Sequence, residues 1–412
     1  MKLNISNITK LKSMRQTLAI SGSNFFVMGI GFFINVLLAR AMGLTGFGLY
    51  SFAFAVFNFV AIFMEFGFYS TAAKVLADEK DEYQERKLLG SIFIVYVFIN
   101  VIFAVLMYVI GYFIDDFFVD KIGSTIRYMA FSGYAYTASF FMEWVLKGCN
   151  KIYLLSQYNI FGKFLHCVIL LWLWHQKILF PENILMSYAI AIGISIFICY
   201  AKMKPVFSDC RNMILWLYNS NKIYGWPQYL GRIVDVGSAN IDRVLVSYFV
   251  DAKSLGLYSI AVSFASVVNV LGRSIGIVQF KKFAEKNIIS NSIVMAVRYV
   301  TLLSVALVLV TSYFTIHFFL GNDYQDVFIY ILILVLGTSS QSMYSLYISW
   351  LSSHGCSKDL RDATFCISFV NIFSAFVFTY FFGVIGSCMA FSIGYIFSLY
   401  MYFVTYLKKC ER

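Results

Sequence analysis

The chain reads Gly48-Leu49-Tyr50-Ser51 near its start and Gly256-Leu257-Tyr258-Ser259 just past its middle, 208 residues later in a length of 412. With 60% hydrophobic residues, 13% charged residues and a mean hydropathy of +0.76, a water-soluble domain is excluded: too much apolar surface would face water. A membrane chain that repeats itself in one direction at half its length predicts two like-oriented lobes, the plan of a transporter.

A bilayer-crossing helix needs about 20 apolar residues. Runs of that kind lie at 17–39, 47–70, 88–112, 122–146, 155–175, 183–201, 223–250, 256–280, 291–316, 326–351, 362–382 and 384–407. The run lengths and the lack of ten-residue alternation favour helices over a barrel. The expected fold is therefore all-α and membrane-integral. It has about twelve transmembrane helices in two six-helix lobes, 1–208 and 209–412, related by a pseudo-twofold along the membrane normal. The first run is too long for a cleavable leader and is expected to stay as the first span.

Basic residues crowd alternate loops: Lys2, Lys10, Lys12 and Arg15; Lys74, Lys80, Arg86 and Lys87; Lys147, Lys151 and Lys163; Lys202, Lys204, Arg211 and Lys222. Lys281, Lys282, Lys286, Lys358, Arg361, Lys408, Lys409 and Arg412 continue the series. The opposite loops carry only Arg40, Lys121, Lys177 and Lys253, beside Asp115, Asp116, Asp120, Glu182, Asp251, Asp323 and Asp326. By the positive-inside rule both termini are expected in the cytoplasm. The net charge of +11 reads as this topology signal; spread over seven loops, it does not suit a nucleic-acid partner. The eight cysteines show no C-x-x-C spacing, the four histidines are scattered, and no phosphate-cradling loop occurs. No metal, cofactor or ATP hydrolysis is expected.

At the offset of 208, Asn24 aligns with Arg232, Asn35 with Arg243, Ser51 with Ser259, Asn58 with Ser266 and Glu65 with Arg273. Ser51, Asn58 and Glu65 recur every seven residues, close to two helical turns, and so share a stripe. Ser259, Ser266 and Arg273 form the matching stripe, and Arg232, Asp235, Asp242 and Arg243 share one face of the seventh span. Charge at membrane depth costs a few kcal/mol or more, so these stripes are expected to face protein or water. Spans 1, 2, 7 and 8 are thus expected to line a central cavity. Arg232 with Asp235, and Asp242 with Arg243, read either as cavity groups or as structural pairs. Glu143 and Lys147, spaced i, i+4, read as a helix-end pair or a gating pair. Arg298 is a cavity cation or a snorkelling one, and Glu65 and Arg273 are candidates for an inner gate.

Leu37-Leu38-Ala39-Arg40, Gly46-Phe47-Gly48-Leu49-Tyr50-Ser51 and Glu65-Phe66-Gly67-Phe68 resemble the N-terminal signature of the Wzx-type polysaccharide biosynthesis flippases. These belong to the multidrug/oligosaccharidyl-lipid/polysaccharide exporter superfamily. Ile241-Asp242-Arg243-Val244-Leu245 and Leu255-Gly256-Leu257-Tyr258-Ser259 resemble the matching element of the second lobe. The resemblance implies a non-enzymatic flippase in the bacterial inner membrane. Its cargo would be an undecaprenyl-pyrophosphate-linked oligosaccharide, an O-antigen or capsule repeat unit moved to the periplasmic leaflet with ion coupling. It further implies membrane lipids, a polysaccharide polymerase and a chain-length regulator as partners. Substrate would meet Arg232, Arg243, Arg273 and Arg298 with Asn24, Asn35 and Asn58; Glu65, Asp235 and Asp242 would couple or gate. Alternatives are a drug or metabolite exporter of the same superfamily, which would want a carboxylate-lined first lobe, and a membrane polymerase or glycosyltransferase, which would want large outer loops.

Overall fold

The computed structural model describes residues 5–118, 121–223, 225–226, 229, 233, 237–238, 240–284, 287–354 and 356–410, with side chains over the same ranges except 5–19, 21, 277–278, 280–282, 284, 322 and 357. Helices account for nearly all of it, and no strand occurs among the described residues. They are α1 (Ile5–Phe63), α2 (Phe68–Asp78), α3 (Glu82–Phe117), α4 (Gly123–Tyr128), α5 (Tyr134–Gly148), α6 (Ile152–His175) and α7 (Pro181–Met203). The remainder are α8 (Cys210–Ile223), α9 (Ile241–Phe249), α10 (Ala252–Ala284), α11 (Asn291–Thr315), α12 (Asp326–Ser353) and α13 (Ser357–Cys410).

The protein is an all-α, multi-pass membrane protein. Among the described residues, eight helices are long and apolar enough to cross a bilayer. Two of these are double length. The apolar part of α1 runs for 42 residues and is broken at Gly43, and α13 is broken at Gly383, so each holds two passes of about 20 residues. With the shorter α4, α5 and α9, the described helices are consistent with twelve passes in two lobes. Local chemistry marks the ends: Asp81 caps α3 by accepting from the Tyr83 N–H at 2.9 Å, and Pro181 opens α7 where no helical N–H is needed.

Packing gathers the chain into two compact units, with α1 shared between them. The first contains Gly22–Ile34 and Ala53–Gly237, and the second contains Asn35–Phe52 and Ser238–Arg412.

The first unit has an aromatic interior: Tyr96 stacks on Phe141 at 4.2 Å, Phe57 on Tyr136 at 4.9 Å, and Phe93 lies 4.8 Å from Tyr200. Tyr69 and Tyr136 are fully buried. Tyrosine is therefore a core residue here as well as the interfacial one its abundance suggests, since stacked rings fill space between helices and keep one polar handle. The Glu65-Phe66-Gly67-Phe68 stretch is the break between α1 and α2. Phe66 and Gly67 take left-handed φ of 45° and 76°. Asn221 of α8 donates to the Phe66 carbonyl at 2.9 Å and accepts from the Thr71 hydroxyl at 2.9 Å. A Cβ on Gly67 would sit 2.4 Å from the Gly225 carbonyl carbon, so the motif's glycine is required twice over.

In the second unit the two copies of the repeated tetrapeptide meet. A Cβ on Gly48 would lie 1.7 Å from the Ala252 carbonyl oxygen, and one on Gly256 would lie 2.8 Å from that of Leu44. Asn35 donates to the Ser263 hydroxyl at 2.8 Å, and Tyr324 to the Ala39 carbonyl at 2.7 Å. The helix ends of this unit are closed by Val297, Tyr347, Trp350 and Tyr406.

Candidate functional site

Arg232 and Asp235 lie outside the described residues. Their neighbours on the seventh span are placed. Asp242 opens α9 with Oδ1 accepting the Arg243 N–H at 2.8 Å, and the Tyr258 hydroxyl of the second tetrapeptide donates to Oδ2. The carboxylate borders a cavity of about 30 Å³ whose polar lining is Ser238, Asp242, Asn371 and Tyr395. Ser238 is also within 3.1 Å of Ser368. That volume holds a water or two, or a small cation, and it presents oxygen ligands. Asp242 is thus fastened by Tyr258 and borders a small, mostly apolar cavity with a few polar groups. Arg243 is half-buried beside it.

The remaining predicted residues fall into different settings. Arg273 on α10 and Arg298 on α11 are exposed, and neither has a carboxylate at ion-pair distance among the described residues. Asn35 is committed to Ser263, and Asn58 turns back to the Phe54 carbonyl of its own helix at 2.8 Å. Asn24 is exposed. Glu65 is buried near Tyr69 and Tyr229, and Tyr229 donates to the Phe63 carbonyl at 2.7 Å. Glu143 and Lys147 form an ion pair of 2.5 Å along α5, with both side chains nearly half exposed.

One cation was misplaced by the sequence reading. Lys163, counted there with the inner-loop residues, lies well inside α6 and is half-buried. Its Nζ stands 5.7 Å over the Tyr188 ring, and its Cε runs past Gly31 of α1. One turn further, His166 is buried with its ring 5.3 Å from that of Tyr188. The signal was present: the apolar run 155–175 encloses Lys163, so it cannot belong to a loop. A cavity of about 910 Å³ between α3 and α7 has an apolar lining, with Phe93, Val97, Val101 and Phe197 among its walls, and contains none of the predicted site residues.

Comparison with known structures places the fold. The inward closed form of the lipid II flippase MurJ superposes with a TM-score of 0.73 at 20% identity, covering 95% of this chain and 90% of that one. The multidrug transporter DinF-BH gives 0.70 at 13% identity over 96% and 95%. A MOP-superfamily transporter from Pyrococcus furiosus, described by the reversed polarity of its binding pocket, gives 0.61 at 10% over 97% and 96%. No curated protein sequence matches the chain. The protein therefore shares the fold of these structures. A family model then takes the assignment one step further: the chain belongs to the polysaccharide biosynthesis protein family, whose model matches residues 13–280.

Proposed function

We propose that this protein is a flippase for an undecaprenyl-pyrophosphate-linked oligosaccharide, an O-antigen or capsule repeat unit. It carries the unit from the cytoplasmic to the periplasmic leaflet of a bacterial inner membrane, with both termini in the cytoplasm. Transport proceeds by alternating access of two six-helix lobes, 1–208 and 209–412, and draws on an ion gradient. A polysaccharide polymerase and a chain-length regulator are the partners this reading implies.

The observation that carries it is the sign of the intramembrane charge. Arg273 and Arg298 stand on membrane-crossing helices without carboxylate partners among the described residues, as does Lys163. Unneutralised cations at that depth are costly unless a ligand answers them, and an anionic headgroup does so where a cationic drug does not. Arg243, with Arg232 and the amides of Asn24, Asn35 and Asn58, is assigned to the same substrate. Asp242, beside its small cavity, is assigned to coupling together with Asp235, and Glu65 with Arg273 to an inner gate. Glu143 and Lys147 would steady the end of α5.

Deleting the gene tests this reading. Loss of surface polysaccharide, with lipid-linked repeat units accumulating in the cell, is the expected result. Normal surface polysaccharide accompanied by new drug sensitivity would make the protein an exporter instead.

A further inference from the structure

Lys163 is the least expected charge in the molecule. It is eleven residues into α6, about 16 Å from the helix start at 1.5 Å per residue, farther than its stem can snorkel. The segment Gly22–Ile34 of α1, against which Lys163 lies, has no ionisable group. Facing it from α7 is the Tyr188 ring, and the nearest groups on α6 are His166 and Cys167. No carboxylate lies at ion-pair distance among the described residues. His166, 1% exposed and packed on the same ring, has the Ile184 backbone as its only polar neighbour besides Lys163 among the described residues. A half-buried lysine and a buried histidine thus pack on one tyrosine ring at membrane depth with no counter-ion among the described residues, an arrangement that costs free energy for the fold alone.

We propose that Lys163, His166 and Tyr188 form an oxyanion-binding subsite in the first unit. Lys163 supplies the charge, the His166 and Tyr188 rings wall the site, and Gly31 leaves room for the lysine stem. The ligand group is a phosphate or pyrophosphate oxygen of the lipid carrier, or the carboxylate of an acidic sugar in the glycan. This rests on the lipid-linked glycan reading above and adds to it a recognition point outside the arginines of the second unit.

The test uses the full-length protein in lipid nanodiscs. The probes are undecaprenyl pyrophosphate and the same lipid bearing one glucuronosyl residue. Lys163→Gln is expected to weaken binding about tenfold or more, the loss of one charge-assisted contact, and Lys163→Arg to retain most of it. Ligand-free Lys163→Gln should unfold at the same or a higher temperature than wild type, because an unpaired buried charge is gone. An equal loss on both lipids identifies the pyrophosphate as the ligand group; a loss confined to the extra affinity of the glucuronosyl lipid identifies the carboxylate. Wild-type affinity in Lys163→Gln, or a large drop in its unfolding temperature with binding intact, overturns the subsite and leaves the flippase reading standing. Wild-type protein that binds neither lipid overturns both.

Discussion

Gly48 has no room for a side chain, because the Ala252 carbonyl occupies the place of its Cβ. Its repeat partner Gly256 is less tight, and Gly43, with φ of 70°, has open space around it. These three positions separate two causes of glycine preference. Gly48→Ala must push two backbone segments apart, at a cost of roughly 1–3 kcal/mol or more. Gly43→Ala meets no neighbour but must hold φ 70° with ψ 179°, a conformation nearly closed to residues with a Cβ, at about 1–3 kcal/mol. Thermal unfolding of the purified variants should place both below wild type; an unaffected Gly48→Ala would mean the close approach is not maintained. Cys149, at the loop end of α5, gives a second check. Burial first, then the Glu85 carboxylate, pushes its thiol up to about 12. A raised thiol stays protonated at every pH below that value, so Cys149 should resist maleimide at pH 7.5 and react readily once the protein is unfolded. Rapid labelling of the native protein at that cysteine would contradict its burial.

At the scale of elements, the break between α1 and α2 depends on a helix far along the chain. Asn221 of α8 satisfies the Phe66 carbonyl and the Thr71 hydroxyl together, which holds Phe66 and Gly67 in a left-handed conformation that a continuing helix would not tolerate. Asn221→Ala leaves a buried carbonyl without its donor, a penalty of about 1–3 kcal/mol. Asn221→Asp keeps the acceptor for Thr71 and loses the amide donor to Phe66. Asp also sets a buried carboxylate against the Phe66 carbonyl oxygen, so the melting temperature is expected to fall in the order wild type, Ala, Asp, with complementation of a deletion strain following it. The four motif residues were legible as a family signature, but not their conformation. The residue that enforces it lies some 150 positions away, and no local pattern points to it.

For the whole molecule, the proposed function assigns substrate binding to cations and coupling to carboxylates, and each assignment makes a prediction. Arg273→Ala is expected to reduce polysaccharide complementation at least several-fold while membrane protein levels stay normal, since the side chain is exposed and holds no structural partner among the described residues. Asp242→Asn keeps the shape of the carboxylate and removes its charge. Flux in proteoliposomes should then lose its dependence on the imposed ion gradient, and a fully gradient-driven Asp242→Asn protein would remove this residue from coupling. Neither result is expected from a mutation on the lipid-facing surface.

The sequence by itself determined that the chain is helical, crosses the membrane many times and doubles at an offset of 208. Hydrocarbon forces each segment to satisfy its backbone hydrogen bonds internally, so a run of about 20 apolar residues is enough to define a pass. It also showed that Gly48 and Gly256 correspond, and which polar residues share a helical face. Only the tertiary structure decided that those glycines touch, that Asn35 is bound to Ser263 across 228 positions, and that half-buried Lys163 lies over the Tyr188 ring. Periodicity assigns a residue to a face of its own helix, but the partner it meets there depends on how helices distant in sequence are rotated and packed.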